Sequence, residues 1–156
     1  MTVDLYPWLK LAHLVGAAVL LGTGAGIAFF MLMADRTGEP VVIHRVARMV
    51  VLADLVFTAT AVIAQPLTGS ALALWLGYHL TETWILASLG LYLLVGTCWL
   101  PVVWIQLKIR DLAADAVQSA GPLPDRYHKL MRIWFWLGWP AFLGVIAIYW
   151  LMIVKP

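Results

Sequence analysis

Few side chains in this sequence can do chemistry, and four of them are histidines: His13, His44, His79 and His128. His13 sits in "WLKLAHLVG" (residues 8–16), three residues past Lys10 at the head of a very apolar run. A lysine there can send its ammonium to an interface while its stem lies in lipid. A histidine cannot reach as far. Two uses remain open for it: a cross-helix hydrogen bond, to Gln65 or to a backbone carbonyl, or ligation of a haem or metal. His79, in "GYHLTETW" (77–84), is either a solvated loop residue or a second axial ligand folded over the same end, the pair giving bis-imidazole ligation. His44 and His128 lie beside Arg45 and Lys129 and read as surface residues of the opposite end. Asp54, in "VVLADLVFT" (50–58), is an acid inside an apolar run. It calls for a partner, with Arg48, Lys108 and Thr23 as candidates, or for a role in a proton relay. No CxxC, HExxH or Ser-His-Asp pattern is present, and Cys98 has no second cysteine to pair with.

These residues need elements to hold them, and composition says which. Of the 156 residues 63% are hydrophobic and 12% charged, with a mean hydropathy of +0.92. Soluble domains are about 45–50% apolar. The chain therefore reads as an all-α polytopic membrane protein, a four-helix transmembrane bundle filling one domain over 1–156. The expected helices cover 7–33, 47–76, 83–110 and 130–154. About 26 residues at 1.5 Å each span roughly 39 Å, more than a bilayer core, which puts His13 just below an interface. Pro66, Pro101 and Pro140 fall inside these runs and predict kinks, tolerated where neighbours satisfy the freed carbonyl. The opening "MTVDLYPWLK" lacks the basic start and cleavage site of a signal peptide, so the first helix is expected to be retained.

Charge sets the expected orientation. The 34–48 segment carries Arg36, Arg45 and Arg48, and the 108–132 segment carries Lys108, Arg110, Arg126, Lys129 and Arg132. The 67–83 connection has no lysine or arginine. Both basic segments then face the cytoplasm and both termini the periplasmic side of a bacterial inner membrane. Trp8, Trp75, Trp84 and Trp150 are placed as interfacial anchors, and Trp99, Trp136 and Trp139 deeper, as packing or pocket residues. In "GTGAG", Gly22 and Gly26 form a small-xxx-small pair for internal packing or a homo-oligomer seam. Gly16 shares a helix face with His13, continued by Ala17 and Leu20, and would leave room for a flat ring. The net charge of +2 calls for no nucleic acid.

Several segments taken together resemble the DUF2269 proteins, a family of bacterial integral membrane proteins: "LKLAHLVGAAVLLGTGAGIAFFM" (9–31), "VVLADLVFT", Gln65-Pro66 followed by Gly69, "CWLPVVWIQ" (98–106), "YHKLMRIWFWLGWPAF" (127–142) and the terminal "WLMIVKP". More loosely, the "WLKLAHLVG" opening and the proline-then-glycine of the second helix are similar to HemJ-type protoporphyrinogen oxidases and to copper-resistance D-type membrane domains. That resemblance implies haem b held by His13. The oxidases also carry a His-x-Lys element at the start of the third helix. Here "TETWILASLG" stands there, and no histidine or lysine occurs between Thr83 and Trp104. The oxidase reaction does not carry over.

The leading functional expectation is a membrane-embedded b-type haem protein in electron transfer or an oxidase-like reaction, with a redox partner protein. Its site would comprise His13 and His79 as iron ligands, with Gly16 and Gln65 beside them. The alternatives are a metal or small-solute transport component and a structural or assembly subunit. Asp54, Arg48 and Lys108 serve these as ion-pair or proton-relay groups.

Overall fold

A computed structural model describes residues 5–156 and shows four long apolar helices, as a polytopic membrane bundle requires. They are α1 (Leu5–Thr37), α2 (Pro40–Trp75), α3 (Thr83–Gln118) and α4 (Asp125–Val154). The first four residues, part of the segment read as lacking a signal peptide, lie outside the described residues. A helix of 36 residues such as α2 or α3 is about 54 Å long against a hydrocarbon core of roughly 30 Å. The helices therefore project beyond any bilayer that they cross.

The projections explain where the boundaries differ from those expected. The second helix begins at Pro40, seven residues before 47. Proline suits a first helical turn, where its missing N–H would be unpaired anyway. The entry segment "VVIHRVAR" is thus helical and buries Ile43 and Ala47. The third helix runs on to Gln118 and buries Ala113 and Ala116 in its extension. The fourth starts at Asp125, an acid well placed against the positive end of the helix dipole. Gly38 (φ +66°) and Gly77 (φ +81°) make the left-handed turns that end α1 and α2.

The one interruption is a π-helical turn over Asp54–Thr58 inside α2. Such turns shift side chains off the regular helical face and recur at functional sites. Pro66, Pro101 and Pro140 lie within helices that stay continuous. For Pro66 the neighbour that compensates is identifiable. The ring removes the N–H that would bond Val62 O, and the Tyr92 hydroxyl of α3 donates to that carbonyl at 2.6 Å.

Packing is extensive between α1 and α2 and equally so between α3 and α4, with α2 on α3 joining the two pairs, whereas α1 touches α4 sparingly. The buried core gathers at the basic end: Met31, Ile43, Ala47, Ile109, Tyr127 and Trp134 belong to one cluster. Of the two uses expected for Gly22 and Gly26, internal packing is not found. A Cβ at either would meet open space, so their small size brings no helix close within the bundle. The close approaches are elsewhere. A side chain at Gly16 would strike the Gln65 amide, one at Gly69 the His13 ring, and one at Gly144 the Val95 side chain.

Candidate functional site

Two polar nodes face the interior, about 16 Å apart along α2, from Asp54 to Gln65. The first is built on His13. Its Nδ1 lies 2.8 Å from Thr68 Oγ1. The Thr68 hydroxyl donates to Ala64 O at 2.8 Å, as hydroxyls in helices commonly do. With that proton on the Ala64 carbonyl, Thr68 can accept from Nδ1–H, the arrangement in which Nε2 would keep its lone pair. Gln65 Nε2 donates to the His13 backbone oxygen at 3.0 Å. Gln65 is thus a neighbour of His13, as the sequence suggested, but it holds the backbone and not the ring. Gly16 and Gly69 are what allow α1 and α2 this close.

The second node is built on Asp54, which is 4% exposed. Trp99 Nε1–H donates to Oδ1 at 3.2 Å. The Gln106 amide, oriented so that its donor and acceptor match their neighbours, donates to Oδ2 at 3.1 Å and accepts from Trp134 Nε1–H at 3.3 Å. Neutral donors from α3 therefore hold the acid, with α4 behind them. The expected partners are not brought to it. Arg48 is exposed, and the ion pair found among the described residues joins Arg110 to its neighbour Asp111. Neither Lys108 nor Thr23 hydrogen-bonds Asp54. Sequence reasoning missed Gln106 and Trp134. Their signal was polar atoms at buried positions of apolar helices.

Thr58 completes this node. It is 5% exposed, and its Oγ1 is the buried side-chain oxygen left without a well-formed hydrogen bond among the described residues. Thr60, Thr68, Ser88 and Thr97 all bond carbonyls of their own helix. Thr58 sits at the end of the π turn, where the carbonyls are displaced. Its neighbour is the Asp54 carboxyl, close enough for a hydrogen bond of imperfect alignment.

A cavity of about 350 Å³ opens over the Asp54 node, lined from all four helices. Small residues create it. Gly24 of α1, Gly96 of α3 and Gly138 of α4 line it, and a Cβ at any of the three would meet nothing within 4 Å. Aromatic rings wall it, Trp99 and Trp139 among those foreseen as deep tryptophans, with Trp134 and Phe142. Trp136 instead faces outward at 66% exposure. A smaller chamber of about 110 Å³ lies beside His13. The two share Leu20, Val62, Tyr92, Val95 and Val145 in their linings.

The seam between α1 and α4 is pinned at both ends and open in the middle. Tyr149 donates to Ala17 O near the histidine end, and Tyr127 donates to Asp35 Oδ1 at 2.8 Å near the basic end. Between these pins Ala25, Trp139 and Phe142 both line the large cavity and are exposed. The cavity therefore opens sideways, onto the surface that lipid would cover.

Haem can be tested against this geometry. The donor type fits: the His13 ring is hydrogen-bonded through Nδ1 to Thr68, and imidazole Nε2 is a common ligand of iron. The room does not fit. The chamber beside it, at about 110 Å³, is well below the roughly 300–1,000 Å³ of small-molecule sites. His79 is exposed and lines neither chamber. No cluster of three histidine, cysteine or acidic side chains with metal-binding spacing occurs among the described residues.

Comparison with known proteins gives the family. The family model described as "Predicted integral membrane protein (DUF2269)" matches residues 7–156. The chain belongs to the DUF2269 family. No curated protein and no solved structure matches it. The comparisons thus give nothing for kinship with the oxidases or the copper-resistance domains. Membership agrees with the four apolar helices and assigns no reaction to the site.

Proposed function

We propose that this protein is a multi-pass protein of the bacterial inner membrane, both termini outside, that binds a lipid-soluble organic molecule in its interior. The orientation rests on the charge of the connections. The binding reading is carried by one observation: the laterally open cavity of about 350 Å³ that glycines of three helices leave over a polar floor. Pockets of this size, apolar with a few convergent polar groups, are the usual form of small-molecule sites. The test is to purify the protein in mild detergent, extract it and identify what is retained. Wild type should carry one species near one per chain, and Gly96→Leu, which fills the cavity, should lose it. Recovery of the same bulk lipids from both would end the reading.

A second reading, haem b in electron transfer or an oxidase-like role, is favoured by Nε2 of His13. The likeness of "WLKLAHLVG" to the oxidases' first helix points the same way. It requires the side chains common to the two chambers to part. Bound there, haem would supply one-electron chemistry. Protein expressed with added haem should then show a Soret band and reducible α and β bands, both lost in His13→Ala. If His79 is the second ligand, His79→Ala shifts the same bands. A colourless protein would dispose of this reading. Transport of a metal or solute past Asp54, a third possibility, would show as uptake that Asp54→Asn abolishes.

A further inference from the structure

We propose that the large cavity holds one hydrocarbon chain of an anionic phospholipid, whose phosphate lies outside the bundle between Arg36 of α1 and Arg132 of α4. This rests on the reading that the interior is a binding site, and it names the ligand's chemistry.

The chain follows from the lining. The walls are aliphatic and aromatic, and the polar groups of the floor are occupied by one another. Asp54 accepts from Trp99 and Gln106, Gln106 accepts from Trp134, and Tyr92 donates to Val62 O. Thr58 has the Asp54 carboxyl beside it. A polar group brought inside would lose its water and find no partner, whereas a hydrocarbon asks for none. Length agrees. Along α1 the lining runs from Leu20 to Leu32, about 18 Å, close to one leaflet of a hydrocarbon core roughly 30 Å thick.

The head follows from what flanks the lateral opening. On α1, Ala25 and Leu32 line the cavity, and Arg36 continues their helix face. On α4, Phe135, Trp139 and Phe142 line it, and Arg132 shares their face. Each arginine stands about one turn, roughly 5 Å, past the lining towards the basic end, one on either side of the seam. Both are exposed, and neither enters an ion pair or hydrogen bond among the described residues. Asp35, next to Arg36, is bonded to Tyr127. The forked guanidinium suits a phosphate. The other end of the seam lacks such a pair. Its cations, Lys10 and Lys155, lie ten residues beyond Leu20 and Val145, about 15 Å past the lining. A lipid of the leaflet at the basic end can therefore set its phosphate on the arginines while a chain enters between the Tyr149 and Tyr127 pins.

The test titrates lipid-stripped, full-length protein in mild detergent with dioleoyl phosphatidylglycerol, with phosphatidylcholine of the same chains, and with inorganic phosphate. Native mass spectrometry counts what binds. One phosphatidylglycerol per chain should bind, more tightly than phosphatidylcholine, and inorganic phosphate should not displace it. Arg36→Gln and Arg132→Gln should each weaken it about fivefold. Arg45→Gln and Arg48→Gln, the same loss of charge on α2, should leave it unchanged. Gly96→Leu should abolish the tight binding of either lipid. Gly24→Leu and Gly138→Leu, on two other helices, do the same job should one variant fail to fold, as circular dichroism will show.

If both lipids bind alike, or if the arginine variants bind like wild type, and the cavity-filling variants still lose the lipid, the head assignment is overturned and interior binding stands. Equal weakening by the α2 variants overturns it too, as does displacement by inorganic phosphate. If the folded cavity-filling variants bind each lipid like wild type, the lipid lies on the surface and both readings fall.

Discussion

At the basic end Ile43, Ile109, Ala113 and Tyr127 are wholly buried among four helices. Towards the histidine end of the same helices, Leu14, Ile63, Leu86 and Trp150 point outward, and the interior between them holds two chambers. The difference follows from the solvent each end meets. The basic end carries the charges and projects towards water, where burying apolar area stabilises by about 25 cal/mol per Å². In lipid that drive is absent, because acyl chains are as apolar as leucine. Helices there associate through close backbone approach and hydrogen bonds. The structure shows both, as Gly16 and Gly69 at the α1–α2 contact and as Gln65, Tyr92 and Tyr149 donating to carbonyls of neighbouring helices. A half held by a few directional bonds can keep empty space that a half held by burial would close.

The sharpest way to break this contrast is one truncation made at each end. Ile109→Ala should cost about 2–5 kcal/mol, as large-to-small changes in a tight core do. Ile63→Ala, 65% exposed, should stay within about 0.5 kcal/mol. Denaturation of the purified protein, followed by circular dichroism, measures both. Equal costs would mean that the two ends are stabilised alike.

Next in size is the Asp54 node, at the boundary between the ends. Asp54→Leu leaves the Trp99 and Gln106 N–H groups without an acceptor and should cost about 1–3 kcal/mol. Asp54→Asn keeps one carbonyl oxygen for Trp99 and should cost less than half as much. The Trp99 environment, read by fluorescence, should shift in the leucine variant. If an unseen cation paired with Asp54, the asparagine variant would be the worse tolerated, since it would strand that charge.

The same contrast explains what the sequence could tell. Four helices were legible because hydropathy is a local signal, and so was the strangeness of His13 and Asp54, each ionisable in an apolar run. Their partners were not. Thr68 is 55 residues from His13, and Trp99 is 45 residues from Asp54. No local pattern reveals which helix faces which. The cost of an acid in an apolar run suggested Arg48, Lys108 or Thr23 for Asp54, but a neutral amide and an indole hold it. The helix extensions were hidden for a different reason. "VVIHRVAR" looks like a connection by charge, yet one helical face of it, Ile43 and Ala47, is apolar and packs in the basic-end core. Gly22 and Gly26 had the spacing of a contact motif and face open space. Gly16 and Gly69, which do mark contacts, belong to no pattern readable within one helix.

A smaller effect separates two tyrosines that make the same kind of bond. Tyr149 donates to Ala17 O, which keeps its own helix N–H partner when the hydroxyl is removed. Tyr149→Phe should therefore cost about 0.6 kcal/mol, the average for such bonds in membranes. Tyr92 donates to Val62 O, the carbonyl that Pro66 deprives of a helix partner. Tyr92→Phe should cost about 1.5 kcal/mol, because it orphans that oxygen. Pro66→Ala restores the missing N–H, so Tyr92→Phe in that background should fall to the Tyr149→Phe level. A double-mutant cycle with no coupling between positions 66 and 92 would refute this account of the proline.

The smallest effect has the most telling sign. Glycine inside a helix costs about 0.5–1 kcal/mol relative to alanine. Gly96 and Gly138 bear that cost at positions where a Cβ would meet nothing, so Gly96→Ala and Gly138→Ala should stabilise the protein by up to about that amount. Gly144→Ala, with Val95 Cγ2 only 2.5 Å from the new Cβ, should destabilise it. A glycine that packs is explained by packing. One that holds a cavity open against its own helix's preference is explained by what enters, as when stability yields to function at a site. Leucine at the cavity positions should then give a protein no less stable than wild type that has lost its ligand. A ligand retained in all three leucine variants would separate the empty space from any use.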